Sequence, residues 1–167
     1  MNNEREITCC FTGHRPDKLP WGSCENDARC AELNSRIYSE ALALYNEGYR
    51  RFICAMALGC DMYFATQIAK LKKSHPEVIL QAAVPCPEQS SLWSEKRKEQ
   101  YDLLLSQCDE QKLIQSQYTP DCMMRRNRYM VDSSSAIIAC FDGSSGGTMQ
   151  TLLLAMRSGL RIIKINI

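Results

Sequence analysis

The sequence predicts an α/β fold: a doubly wound, mainly parallel sheet of five to six strands with helices on both faces. Three observations carry this prediction. Short, mostly apolar runs rich in β-branched residues recur along the chain, the stretches between them follow a helical period, and the two kinds alternate from end to end. At 167 residues, with no internal repeat, low-complexity segment or linker, the chain is predicted to form one domain over 1–167, with roughly 70% of its unfolded surface buried in one core.

The strands are expected at Ile7 to Phe11, Arg51 to Ala55, Val78 to Val84, Gln111 to Ile114, Ala136 to Phe141 and Arg161 to Ile165. In the first helix, Cys30, Leu33, Ile37, Ala41 and Leu44 recur at three or four residues, and Gly48 supplies a C-cap. The second runs from about Met62 to Ser74, burying Phe64, Ile68 and Leu71 before Pro76 stops it. A charged helix is predicted over Glu88 to Ser106, a fourth over Asp121 to Val131 after Pro120, and a fifth over about Thr148 to Arg157 ahead of Gly159. Leu19 to Asn26 is the only long irregular loop in this reading. Helices on both faces joined by right-handed crossovers make a Rossmann-like three-layer sandwich.

Composition excludes broad function classes. Twenty Lys plus Arg against 19 Asp plus Glu give a net charge of +1, so no chain-wide field points to sequence-specific nucleic acid or a membrane surface, and any polyanion site must be local. The polar start Met1 to Glu6 carries no signal-peptide pattern, and the apolar runs fall far short of the ~20 residues that span a bilayer, so a cytoplasmic location is expected. Ten cysteines include no C-x-x-C pair, and only His14 and His75 are available to help them. No metal site is therefore expected, and the thiols read as reduced, mostly buried small hydrophobes.

In doubly wound folds ligands bind beyond the carboxyl ends of the strands, and here that rim collects the unusual residues. Thr12-Gly13-His14-Arg15-Pro16 follows the first strand and Leu58-Gly59-Cys60-Asp61 the second. Arg125, Arg126 and Arg128 lie near the start of the fourth helix, and Asp142-Gly143-Ser144-Ser145-Gly146-Gly147-Thr148 follows the fifth strand. A glycine turn opening a helix reads as a phosphate cradle, since free amides and the helix dipole both favour an anion; it also reads as a plain tight turn capped by Thr148. His14 is a proton carrier or phosphate donor, or else a brace for its turn. Arg15 offers a bidentate grip on phosphate. The three arginines need anions, supplied either by a ligand or by Asp121 and Asp132 in helical register. Asp61 binds ribose hydroxyls or caps its helix. Neither G-x-G-x-x-G nor G-x-x-x-x-G-K-[ST] is present, which disfavours an ordinary dehydrogenase or P-loop ATPase.

These segments, with Pro120-Asp121-Cys122-Met123 and Arg126-Asn127-Arg128-Tyr129-Met130-Val131-Asp132, resemble the YpsA-like family of the SLOG superfamily, related to the LOG and DprA Rossmann-like domains. The resemblance runs from the first strand to the last helix. It implies a Rossmann-like fold and binding of a nucleotide-derived ligand such as ADP-ribose or an NAD-related molecule, in a family linked to bacterial cell division and stress sensing. It also implies kinship with LOG enzymes, which hydrolyse N-glycosidic bonds of nucleoside monophosphates. Their Arg-Lys-x-x-Met motif has asparagine at its lysine position here, and the glutamate that follows their glycine motif falls on Thr151.

Three functions follow as expectations. The first is binding or sensing of a nucleotide-derived phosphate ligand by Thr12, Gly13, His14, Arg15, Gly59, Asp61, Arg126, Asp142, Gly143, Gly146, Gly147 and Thr148. The second is an N-glycosidase or ribosyl-transfer enzyme with His14, Asp61 or Asp142 as the acid-base group. The third is an interaction protein with a vestigial pocket, a homo-oligomer or a protein partner's target, with Trp21 and Trp93 as exposed anchors. No cofactor beyond the nucleotide-like ligand is expected.

Overall fold

A computed structural model describes residues 3–167. Its strands and helices alternate as β1 (Thr8–Gly13), α1 (Ala28–Asn46), β2 (Arg51–Cys54), α2 (Cys60–Ser74), β3 (Ile79–Val84), α3 (Glu95–Gln107), β4 (Glu110–Leu113), α4 (Cys122–Asp132), β5 (Ala136–Phe141), α5 (Gly147–Arg157) and β6 (Arg161–Asn166). The sheet is parallel throughout, in the order β4-β3-β2-β1-β5-β6. The chain thus steps outward from β1 to β4, returns to the other side of β1 as β5, and ends at β6. Helices α1, α2 and α3 cover one face; α4 and α5 cover the other.

Strands buried on both faces read as continuous apolar runs rather than alternating ones, and β1 shows why. Cys9 and Phe11 enter the core under α1 to α3, while Cys10 between them enters the core under α4 and α5. On the three-helix side Phe11 stacks on Phe64 with ring centroids 4.5 Å apart, and Phe52 lies 6.3 Å from the same ring. All three are fully buried.

Two expectations are corrected. The third helix begins at Glu95, not Glu88: residues 86–93 fold as successive turns, with Gln89 N donating to Cys86 O, Ser91 N to Glu88 O and Trp93 N to Ser90 O. Ser94 then caps the helix through Arg97 N at 3.3 Å. Serines favour such turns and caps over helix interiors, which overrides the apolar spacing of Leu92 and Trp93. Residues 85–94 and 114–121 are therefore irregular as well as the loop before α1. Nor are the tryptophans free anchors. Trp21 is buried and donates from Nε1 to Tyr63 Oη at 3.1 Å, and half-buried Trp93 packs edge-on against Tyr101. No helix among the described residues is long and apolar enough to cross a membrane.

Phe64→Ala is expected to lower unfolding free energy by about 3–5 kcal/mol, because it removes the shared ring from the Phe11 and Phe52 contacts. Denaturant titration checks this: the midpoint should fall with the slope unchanged.

Candidate functional site

The strand order reverses between β1 and β5, so the loops leaving these two strands diverge and a crevice opens between them. A cavity of ≈ 720 Å³ occupies it, lined by the loops after β1 and β2 and by α4 and α5. That volume lies within the usual range for small-ligand sites.

The β1 end is set by ladder geometry. Gly13 pairs with Cys140, and the next amide, His14 N, donates to Cys140 O at 3.0 Å. This holds the buried His14 ring beside Asp142, with Nε2 2.8 Å from Oδ1 and 3.1 Å from the Asp142 amide. Nε2 donates to the carboxylate in one tautomer and accepts from the amide in the other. Thr148 Oγ1 stands 3.5 Å from Nδ1. Hydrogen bonds from Ser144 and His14 hold the Asp142 carboxyl well below the usual carboxylate range. The histidine thus has an orienting partner that no sequence spacing announces.

Gly13 is required sterically: a Cβ there would lie 2.5 Å from Cys60 Cβ at the start of α2. Gly59 is required twice, by its φ of +87° and because a Cβ would lie 2.7 Å from His14 O. Just before it, buried Met56 takes a φ of +60°, a conformation that costs an L residue about 1–3 kcal/mol. These bends turn Ala57 N toward Asp61 Oδ2, at 3.1 Å, and leave Ala55 O open to Arg126 Nη1, at 3.3 Å. Asp61 is 6% exposed and lines the cavity. Burial pushes its carboxyl up to about 6, against the opposing pull of Arg126 and, less strongly, Arg15. It is not the helix cap: Gly59 occupies that position.

Arg126 is 4% exposed and also lines the cavity. Its Nε and Nη2 donate to Asn127 Oδ1 at 3.3 and 3.2 Å. Among the described residues no carboxylate lies within 4.0 Å of it. The same holds for Arg15, Lys18, Arg128 and Arg157, which line the cavity with it. Five cations against Asp17 and Asp61 make the lining strongly positive in a chain of net charge +1. Arg125 differs: it is exposed, pairs with Asp121 at 2.8 Å and does not line the cavity. The alternative pairing thus holds for Arg125, whereas the Arg128–Asp132 pair in the same register is not formed.

The glycine turn presents the first turn of α5. Gly147 and Thr148 line the cavity, whereas Gly143, Gly146 and Gly59 stand outside the lining and shape the loops. The N-cap is Gly146, with φ +141° and no side-chain cap bond, so the Thr148 cap is corrected: its hydroxyl is directed to His14. Lys18 reaches across to this turn, donating from Nζ to Ser145 O at 2.6 Å and passing where a Cβ on Gly146 would be. The sequence reading missed Lys18 because it sits in a short 3-10 turn, Pro16–Lys18, with no motif around it. Thr12 lines the cavity floor, and Thr151 donates to Gly147 O at 3.0 Å. Cys60 and Cys122 are both buried, and burial pushes the Cys60 thiol well up, so it is no nucleophile in this state.

Known proteins resemble this chain in sequence and in fold. The sequence profile of the YspA SLOG family matches residues 9–160. The SPbeta prophage-derived protein YoqJ of Bacillus subtilis (strain 168) is 34% identical over 126 residues, which is 68% of this chain and 74% of that protein. The UPF0398 protein YpsA of the same organism is 25% identical over 145 residues, 86% of this chain and 80% of that one. In three dimensions the chain is similar to DNA processing protein A from Helicobacter pylori, described for its single-stranded DNA binding mode. The TM-score is 0.60 at 14% identity, covering 97% of this chain and 66% of the other. That likeness shows a shared fold.

Because the Asp61 carboxyl rises from 3.8 to about 6 on folding, the folded protein holds its proton more tightly than the unfolded chain. The stability this contributes is complete below about pH 4 and lost as pH rises through about 6. Asp61→Asn, which does not titrate, is therefore expected to gain about 2–3 kcal/mol over the native protein between about pH 4 and pH 7 and to level off above. Denaturant midpoints across that range read the difference, and parallel profiles would make Asp61 an ordinary carboxylate.

Proposed function

This chain belongs to the YspA SLOG family, and from that premise we propose that its carboxyl-edge cavity binds a nucleotide-derived phosphate ligand of the ADP-ribose or NAD-related kind. One observation carries the reading: Arg126 is a buried guanidinium that lines the cavity without a carboxylate in ion-pair range. A buried charge is expensive unless something answers it, and a phosphate entering the cavity answers it bidentately.

Each neighbouring group then has a part. The amides at the start of α5, at Gly147 and Thr148, donate to the phosphate with the helix dipole behind them. Arg15 and Lys18 close over the phosphate from the β1 loop, Lys18 exchanging Ser145 O for a phosphate oxygen. Asp61 accepts from a ribose hydroxyl, and His14, oriented by Asp142, supports Thr148. The binding role is favoured over hydrolysis by Thr151, whose hydroxyl is turned into its own helix where LOG enzymes carry a glutamate. Hydrolysis has one observation on its side, a buried carboxyl near pKa 6 in the cavity, a value suited to acid-base work near neutrality. Release of free base from a nucleoside monophosphate, followed by chromatography, would assign Asp61 that role.

Single-stranded DNA is the ligand described for the Helicobacter pylori protein. Binding a run of successive bases commonly uses several aromatic platforms, and of the Phe, Tyr and Trp side chains among the described residues this lining holds Phe11, which is fully buried. In a panel of ADP-ribose, NAD, AMP, CMP and a short single-stranded oligonucleotide, at least one of the first four is expected to raise the melting temperature in a concentration-dependent way, and the oligonucleotide is not. Arg126→Gln should weaken that ligand by tenfold or more, as expected for a charged hydrogen bond worth about 1.5–3 kcal/mol. No shift from any of the four at millimolar concentration would overturn the proposal.

A further inference from the structure

The cavity extends well past the phosphate end. On α5 its lining includes Gln150, Leu153, Leu154 and Arg157, spaced i, i+3, i+4, i+7 and hence one stripe along the helix. From Gly147 to Arg157 that stripe descends about 15 Å at the helical rise. The opposing wall is Met123, Met124 and Asn127 of α4. The cavity is therefore a chamber at the strand ends joined to an arm between α4 and α5.

We propose that this arm is the subsite for the nucleobase of the bound nucleotide, a placement that rests on the phosphate reading above. Three features argue for it. The walls carry uncovered apolar side chains from both helices beside the cations Arg128 and Arg157: Met124 is 63% exposed and Leu153 41% exposed, and a thioether from α4 with an aliphatic side chain from α5 can pack on a flat ring. The arm also holds two carboxamides. Asn127 Oδ1 is taken by Arg126, which leaves its NH2 as donor, and the Gln150 side chain makes no hydrogen bond among the described residues. Carboxamides match the donor and acceptor edges of bases. Asn127 thereby touches the phosphate-binding arginine with one atom and offers the other to the base.

The opposite direction, between the β1 and β2 loops, is closed. Gly59 packs so tightly on His14 O and the Arg15 and Pro16 backbone and ring atoms that not even a methyl fits, and Gln89 Nε2 and Arg126 together occupy Ala55 O.

Calorimetric titration with ribose 5-phosphate, AMP and CMP tests the placement. One of the two nucleotides is expected to bind at least tenfold more tightly than the sugar phosphate. In the double variant Met124→Gln/Leu153→Gln, both positions being exposed and remote from the core, that nucleotide should weaken fivefold or more while ribose 5-phosphate stays within twofold. A circular dichroism melt confirms that the variant is folded. Equal affinity for sugar phosphate and nucleotides, or a variant that leaves the nucleotide unchanged or weakens both ligands alike, overturns the base subsite while the phosphate reading stands. Failure of all three to bind the native protein overturns the base subsite, and failure of ADP-ribose and NAD as well overturns both readings.

Discussion

Everything at the candidate site depends on β1 and β5 being neighbours. The parallel ladder between them continues one bond beyond the strands, from His14 N to Cys140 O, and that bond fixes where two diverging loops begin. His14 meets Asp142 because residues at the ends of adjacent parallel strands must be neighbours; the pair is a product of topology. The same adjacency sets the start of α5 against the β1 loop, so Lys18 can reach Ser145 across 127 residues of sequence. Had β5 been laid outside β4, the same side chains would lie on opposite edges of the sheet.

Charge follows from this arrangement. Several positive side chains elsewhere are matched: Arg51 by Glu110, Lys72 by Asp109, Arg97 by Glu25, Arg161 by Glu47. Such exposed pairs add little to stability, but they leave the rest of the surface without a dominant sign. Five cations without a carboxylate in ion-pair range gather in one cavity, where lower dielectric and converging walls make their field count. A near-neutral chain can thus carry a site for an anion without attracting polyanions over its whole surface.

Regular features of the sequence translated directly into structure. The boundaries of β2, β3, β5, β6, α2, α4 and α5 fall within two residues of the apolar periodicities, and the rim segments converge as the strand-end rule requires. What the sequence concealed depends on contacts between distant residues or on local hydrogen bonding that competes with periodicity. The partner of His14 lies 128 positions away. The turns over 86–93 win over a helical spacing because each is closed by its own backbone bond. Trp21, in the loop before α1, is buried against α2, where Tyr63 offers its hydroxyl. The glycines also divide in a way no motif reveals: Gly59 is needed for packing and φ at the base of the site, whereas at Gly147, which lines the cavity, an added Cβ would meet nothing within 4 Å.

Arg126 shows why stability alone does not explain this site. An apolar side chain of similar length would fill the same space between Ala55 and Asn127 without the desolvation that lowers the guanidinium's pKa, and replacement of buried ions by apolar groups is often neutral or stabilising. Asp61 offsets part of that cost, yet burial raises its own carboxyl toward neutrality, so the two groups are an incomplete match for each other. A ligand carrying a phosphate and a hydroxyl would satisfy both at once, the phosphate on Arg126 and the hydroxyl on Asp61. The two residues are held apart by separate backbone anchors, Ala55 O for one and Ala57 N for the other, which keeps them from satisfying each other directly and leaves the gap between them to be filled from outside.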